Sequence, residues 1–250
     1  MSNLLTISKL TKNYHTKKQS IKALEDISFS LDNGEFIVLV GPSGCGKSTI
    51  LSIVGNLEKA SSGNISFVNN NIKLGYMFQE DSLFPWLTVL DNCLIGLKIN
   101  KKINKESLNH VKTLLKKYGL SDFQNSYPQN LSGGMRQRVA LIRTLAINPD
   151  ILLLDEPFSA LDYQTRITVS NDVYKIIKEE NKTALMVTHD IGEAISMGDK
   201  VIVLSNRPSK IKNVYLIESR EKRLPSENRN SPEFMKYYNL IWGDMDHYEC

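Results

Sequence analysis

Along residues 4–10 and 23–31 apolar and polar side chains alternate, the pattern of half-buried antiparallel strands. Asp32-Asn33-Gly34 reads as a turn. Phe36–Val40 is an unbroken apolar run, which predicts a strand covered on both faces. A glycine-rich loop follows, with a helix expected from about Lys47. The period then changes. Residues 106–118 and 135–146 repeat at helical spacing, and Pro128 with the Ser132-Gly133-Gly134 turn separates them. From residue 151 strands (151–154, 184–188, 201–204) alternate with helices (165–180, 191–197), which implies βα units and a largely parallel sheet. The pattern predicts an α/β core divided by a mostly helical insertion. Residues 219–250 are polar at first, with a helix expected after Ser231-Pro232.

Composition narrows the class. The chain has 250 residues, 41% hydrophobic and 23% charged, as an ordinary globular protein has. No run approaches the roughly 18 apolar residues of a membrane helix, and residues 1–10 lack the pattern of a secretory signal. Any membrane role is therefore expected to pass through a partner. The three cysteines, at 45, 93 and 250, form neither a disulfide framework nor a zinc site, which fits a reducing cytosol. The net charge is +4, and the basic clusters at 101–102, 116–117 and 220–223 read as solvated faces. No nucleic-acid partner is expected.

Candidate chemistry begins at Gly41-Pro42-Ser43-Gly44-Cys45-Gly46-Lys47-Ser48-Thr49, which matches the phosphate-loop pattern between a strand and a helix. Glycines let backbone N–H groups approach phosphate oxygens, and the helix N-terminus adds about half a positive charge. Lys47 supplies a full charge and the Ser48 hydroxyl can ligate Mg²⁺. Further along, four aliphatic residues run into Asp155-Glu156-Pro157. Ligands gather at the carboxyl ends of parallel strands. Asp155 is thus expected beside the phosphate loop as a Mg²⁺ holder, and Glu156 is placed to polarise an attacking water.

Leu131-Ser132-Gly133-Gly134-Met135-Arg136-Gln137-Arg138 offers a second phosphate-binding surface, with Ser132 as a helix N-cap and two glycines leaving donors open. Here the sequence resembles the ABC ATPase family, whose signature reads LSGGQ or close to it. The resemblance runs from about residue 3 to 217. It implies a P-loop NTPase core with an N-terminal antiparallel β subdomain and an inserted α-helical subdomain at about 86–147. Residues 1–217 would form a single nucleotide-binding domain and 218–250 a tail, helical after 231. It implies that Leu131, Ser132, Gly133 and Gly134 close over ATP held by a second copy of the chain. Gln79 matches the glutamine that reaches Mg²⁺ and the attacking water, and Asp162 matches the loop that crosses the dimer interface. His189 matches the histidine that contacts the γ-phosphate, and Tyr14 the aromatic that stacks on adenine. Met135 stands where Gln is usual, and residues 63–79 are short for the family.

Residues 83–92, Leu-Phe-Pro-Trp-Leu-Thr-Val-Leu-Asp-Asn, resemble the nitrate/sulfonate/taurine branch of importers, as do residues 205–211. The resemblance implies ATP and Mg²⁺ as cofactors, membrane permease subunits as partners, and indirectly an extracytoplasmic solute-binding protein. The chain would then sit at the cytoplasmic face of the membrane. An apolar strip around Trp86 suits a permease helix. The alternatives are a non-transport ABC ATPase or an importer subunit for an unrelated solute. The chain lacks the sustained heptads that non-transport relatives insert between the two motif halves.

Overall fold

The structure, a computed structural model, describes residues 3–15, 19–218 and 224–245. In the first third of the chain lie β1 (Asn3–His15), β2 (Ser20–Asp32), β3 (Phe36–Val40) and β4 (Ser62–Phe67). Strands β1 and β2 pair antiparallel, β4 adds to the other edge of β1, and the order is β2-β1-β4. Both long strands outrun the predicted spans 4–10 and 23–31. Register shifts near Leu10 and Lys12 put extra residues into the ladder, so the period-2 pattern breaks while the pairing continues.

The remaining strands are β5 (Leu74–Met77), β6 (Ile151–Asp155), β7 (Thr183–Thr188), β8 (Lys200–Leu204) and β9 (Ile211–Leu216). With β3 they form a six-stranded sheet in the order β5-β6-β7-β3-β8-β9, parallel except for β9 at one edge. The central strands are buried on both faces, as their unbroken apolar runs require. One face carries Ile37, Leu39, Leu153 and Leu185, which pack with β1, β2 and α1 (Lys47–Val54). The other carries Val38, Val40, Leu152 and Leu154 and is covered by helices.

Those helices are α2 (Val89–Ile99), α3 (Lys105–Lys117), α4 (Gly133–Leu145), α5 (Tyr163–Glu179) and α6 (Ile191–Met197), then α7 (Pro225–Asn228) and α8 (Pro232–Met245). Helix α4 starts two residues before the predicted 135, because Ser132 caps it and the glycines form its first turn. Side chains cap α2, α3, α5 and α6 as well, through Thr88, Asn104, Asp162 and Asp190. At the C-terminal end, Asp244 Oδ2 accepts from Asn213 Nδ2 (2.6 Å) and Tyr215 Oη (2.7 Å), tying α8 to β9. The basic cluster 220–223 and the ends of the polar stretch, 219–223 and 246–250, lie outside the described residues. Among the described residues no helix is long and apolar enough to cross a membrane.

Adjacent strands β6, β7 and β3 end at the same edge of the sheet, since Asp155 pairs with Val187 and Val40 with Thr188. Asp155 at the end of β6, Glu156 just after it and His189 after β7 stand at that edge.

Candidate functional site

Helix α1 differs from the capped helices. Its N-cap is Gly46, left-handed at φ 116°, with no side-chain cap. The first N–H groups of α1 thus lack a side-chain acceptor, which suits an anion. Gly46 is required twice over: a Cβ there would strain the backbone and lie 2.7 Å from Leu24 Cδ2. Lys47 is buried, and its ammonium donates to Gly41 O (2.8 Å) and Pro42 O (3.0 Å). The cation is therefore held over the Gly41–Gly46 turn, where Pro42, Ser43, Gly44 and Cys45 complete the loop.

Ser48 Oγ donates to Asp155 Oδ1 at 2.8 Å, and Tyr76 Oη donates to Asp155 Oδ2 at 3.2 Å. Burial raises the Asp155 carboxyl above its ordinary range, while these two bonds pull it back. A hydroxyl and one carboxylate, both hard oxygen donors, fit Mg²⁺, which is commonly held by few protein groups with phosphate and water completing the shell. No group of three or more His, Cys, Asp or Glu that could hold a metal exists among the described residues.

The neighbouring Glu156 adopts a left-handed φ of 43°, rare for a residue with a side chain. Its N–H donates to Val187 O (3.0 Å), and its Oε2 lies 2.9 Å from His189 Nδ1. Gln79 donates from Nε2 to Ser159 Oγ at 3.4 Å, and Ser159 Oγ donates to Glu156 O at 3.1 Å. Gln79 therefore joins the site through Ser159, while Ser48 and Asp155 touch directly. Tyr14, 37% exposed, sets its hydroxyl 3.4 Å from Thr49 Oγ1.

The signature turn stands on α4. Ser132 Oγ accepts from Met135 N at 3.3 Å, and a Cβ on Gly134 would lie 2.9 Å from Val169 Cγ2, so α4 and α5 pack closely there. Leu131 is buried, and Gly133 faces Leu161. Asp162 caps α5 by accepting from Thr165 N at 3.0 Å, and the bonds to Thr165 lower its carboxyl. The signature Ser132-Gly133-Gly134 makes no bond to the Gly41–Thr49 loop of the same chain in the described hydrogen bonds.

A model of the ABC transporter family matches residues 24–159. The chain belongs to the ABC transporter family. An uncharacterized ABC transporter ATP-binding protein of Bacillus subtilis is 44% identical, with 99% of this chain and 97% of the relative covered. An aliphatic sulfonates import ATP-binding protein of Bacillus cereus is 38% identical over 97% and 96%. A nitrate import ATP-binding protein of Synechocystis is 38% identical over 95% and 93%. Among solved structures, the dimeric ATP-binding cassette MJ0796 in a post-hydrolysis state, bound to ADP and Pi, superposes with a TM-score of 0.72 at 32% identity. It covers 86% of this chain and 99% of that one. This ABC protein is the ATP-hydrolysing subunit of a transporter, with the α/β P-loop fold of the family.

Several contacts of the ABC subunit's site escaped sequence reasoning. Arg143 donates from Nη1 to Ser82 O and from Nη2 to Asp81 O, both at 2.7 Å. Arg136 Nε donates to Asp81 Oδ2 at 2.9 Å and its Nη1 to Leu131 O at 2.9 Å. Two arginines seven residues apart share a helix face, a spacing that could have marked them. Beyond this clamp, Asn92 is fully buried: its Oδ1 accepts from Phe84 N (2.8 Å), and its Nδ2 donates to the carbonyls of Phe84, Leu87 and Thr88. Asn92 thus fixes the turn that presents Phe84 and Trp86, whose rings stand 5.4 Å apart.

Proposed function

We propose that this subunit powers import of a small solute of the nitrate/sulfonate/taurine type, as one of two identical copies beneath a membrane permease. The observation that carries the ATPase site is the meeting of Ser48 with Asp155 and of Glu156 with His189 at one sheet edge. Lys47 and the open N–H groups of α1 bind the ATP phosphates. Ser48 and Asp155, with Gln79, would hold Mg²⁺. When bound, the ion supplies Lewis-acid neutralisation of phosphate charge. Glu156 orients water in line with the γ-phosphate, and His189 orients Glu156 and contacts that phosphate. Tyr14 stacks on adenine.

Leu131, Ser132, Gly133 and Gly134 act on the ATP of the second copy, with Asp162 at the interface between copies. The N-terminus of α4, where Ser132 is exposed, suits a γ-phosphate held by the loop of the second copy. MJ0796, itself a dimer, supports this arrangement. Residues 1–217 form the nucleotide-binding domain, with the helical subdomain at about 86–147, and 218–250 the tail. The aromatic pair Phe84–Trp86 receives the permease, which keeps the subunit at the cytoplasmic face of the membrane. A solute-binding protein outside delivers the solute. The near full-length likeness to sulfonate and nitrate import subunits supports the substrate class.

The test is reconstitution. The chain, its co-encoded permease and the co-encoded binding protein are placed in liposomes with ATP inside. ATP-dependent uptake of a sulfonate, taurine or nitrate is expected. ATP hydrolysis with none of the three transported, and another solute carried, would overturn the substrate assignment alone.

A further inference from the structure

Behind His189 lies a cluster of charged groups that the reading above leaves unused. Thr188, the residue before His189, donates from Oγ1 to Glu193 Oε2 at 2.7 Å. Asp190, the residue after it, donates its N–H back to Thr188 Oγ1 at 3.0 Å and accepts from Glu193 N at Oδ1, 2.9 Å. His189 is therefore bracketed by two residues, both tied to Glu193. Glu193 is only 3% exposed.

The cluster reaches a second loop through Arg166 on α5. Its Nη1 donates to Asp190 Oδ2 at 3.4 Å, its Nη2 donates to Leu161 O at 3.0 Å, and its Nε stands 3.8 Å from Glu193 Oε1. That Nε is buried and has no hydrogen-bond partner among the described residues. One guanidinium thus spans the backbone of residue 161, beside Asp162, and both carboxylates behind His189. A planar fork with several fixed donors can hold such an arrangement, whereas a single ammonium cannot satisfy all three at once.

We propose that Arg166 and Glu193 are positioning residues that couple the Leu161–Asp162 turn to His189, so that a displacement of that turn is passed to the histidine facing Glu156. The inference rests on the functional reading of Glu156, His189 and Asp162 given above. Three further observations fit it. Glu193 is the buried member of the cluster, and burial pushes its carboxyl up to about 7, against the opposing effects of Thr188 and the two arginines. The charged groups that face it are Arg166 from α5, Arg229 from the segment after α7, and Asp190 at the start of its own helix. Gly192 leaves the space for Arg229: a Cβ there would lie 3.1 Å from Arg229 Nη1. Loss of the Glu193 charge near neutral pH removes one of the two carboxylates that hold Arg166.

The experiment measures ATP turnover with ATP·Mg²⁺ for the full chain and for Arg166→Ala, Arg166→Lys and Glu193→Gln, from pH 5.5 to 8.5, with melting temperatures alongside. Arg166→Ala is expected to lower kcat about 10- to 100-fold, the cost of misplacing a reacting group by about an ångström, with KM for ATP little changed. Arg166→Lys should recover part of the loss at unchanged melting temperature, and it stands in if Arg166→Ala fails to fold. Turnover of the natural chain should fall as pH drops through about 7, and Glu193→Gln should lack that limb and stay low throughout. Natural kcat in both Arg166 variants, or a natural pH profile in Glu193→Gln, would overturn the proposal. Glu156→Gln serves as the control. If it hydrolyses ATP normally, the functional reading itself fails. If it is inactive while the Arg166 and Glu193 variants behave naturally, only the coupling fails.

Discussion

His189 Nδ1 and Glu156 Oε2 stand 2.9 Å apart, joining the ends of two adjacent parallel strands. The contact fixes a carboxylate whose backbone is already in a left-handed conformation, so its direction is set twice. Glu156→Gln keeps the shape and the contact but removes the charge proposed above to polarise water. It should bind ATP and lose about 10²- to 10⁴-fold in turnover, the usual worth of a general base. Phosphate release and nucleotide binding on the purified protein check this. Near-natural release would remove Glu156 from the role.

The signature and the phosphate loop predict a complementation result. Lys47→Ala disables one surface and Ser132→Arg the other. Each variant alone should be inactive, and mixtures should regain activity, because a heterodimer has one intact composite site and one that carries both defects. Turnover titrated across mixing ratios is the readout. A flat line at zero, with both variants folded, rules out a site shared between copies.

Trp86 is 70% exposed, so core packing does not explain it. Trp86→Ala should leave melting and basal ATP hydrolysis close to natural, since surface substitutions shift stability by at most about 0.5 kcal/mol. Permease affinity should weaken by about 2 kcal/mol, roughly 30-fold. Co-purification with the permease measures it, and unchanged capture would disprove the anchor.

Glu193 predicts a stability profile. Its folded-state value of about 7 lies above the ordinary 4.5 because burial disfavours the charge. The folded protein therefore holds that proton more tightly than the unfolded chain does. The stabilisation is complete below about pH 4.5 and is lost as pH rises through about 7, amounting to about 3 kcal/mol. Glu193→Gln should melt higher than the natural protein above pH 7, with the difference closing in acid. Equal melting curves at every pH would show that the group is not buried at this cost.

Much of this was legible before the fold. Phe36–Val40 reads as a doubly covered strand and is one, because a buried parallel strand declares itself as an apolar run. The Lys47–Ser48 and Asp155–Glu156 motifs also named their neighbourhood, since strand ends collect ligands. What stayed hidden depends on distance in sequence. The continuation of β1 past Leu10 is masked by bulges, and β9 mixes Lys212 and Asn213 into an exposed edge. The Tyr76–Asp155 bond and the reach of Arg166 to residues 161, 190 and 193 join separate elements, and no local period records such pairings.

Arg143 holds the turn after Gln79 by the carbonyl oxygens of Asp81 and Ser82, not by their side chains. A contact made to backbone is blind to the identity of the residue that offers it. Ser82, at φ 45°, can become Asn or Gly during divergence without unhooking the turn from α4. The insertion or loss of one residue there would displace both carbonyls together. At Ser82 the freedom of this turn therefore lies in the letter and not in the length, whereas Asp81 is tied to α4 twice, by its carbonyl to Arg143 and by its carboxylate to Arg136.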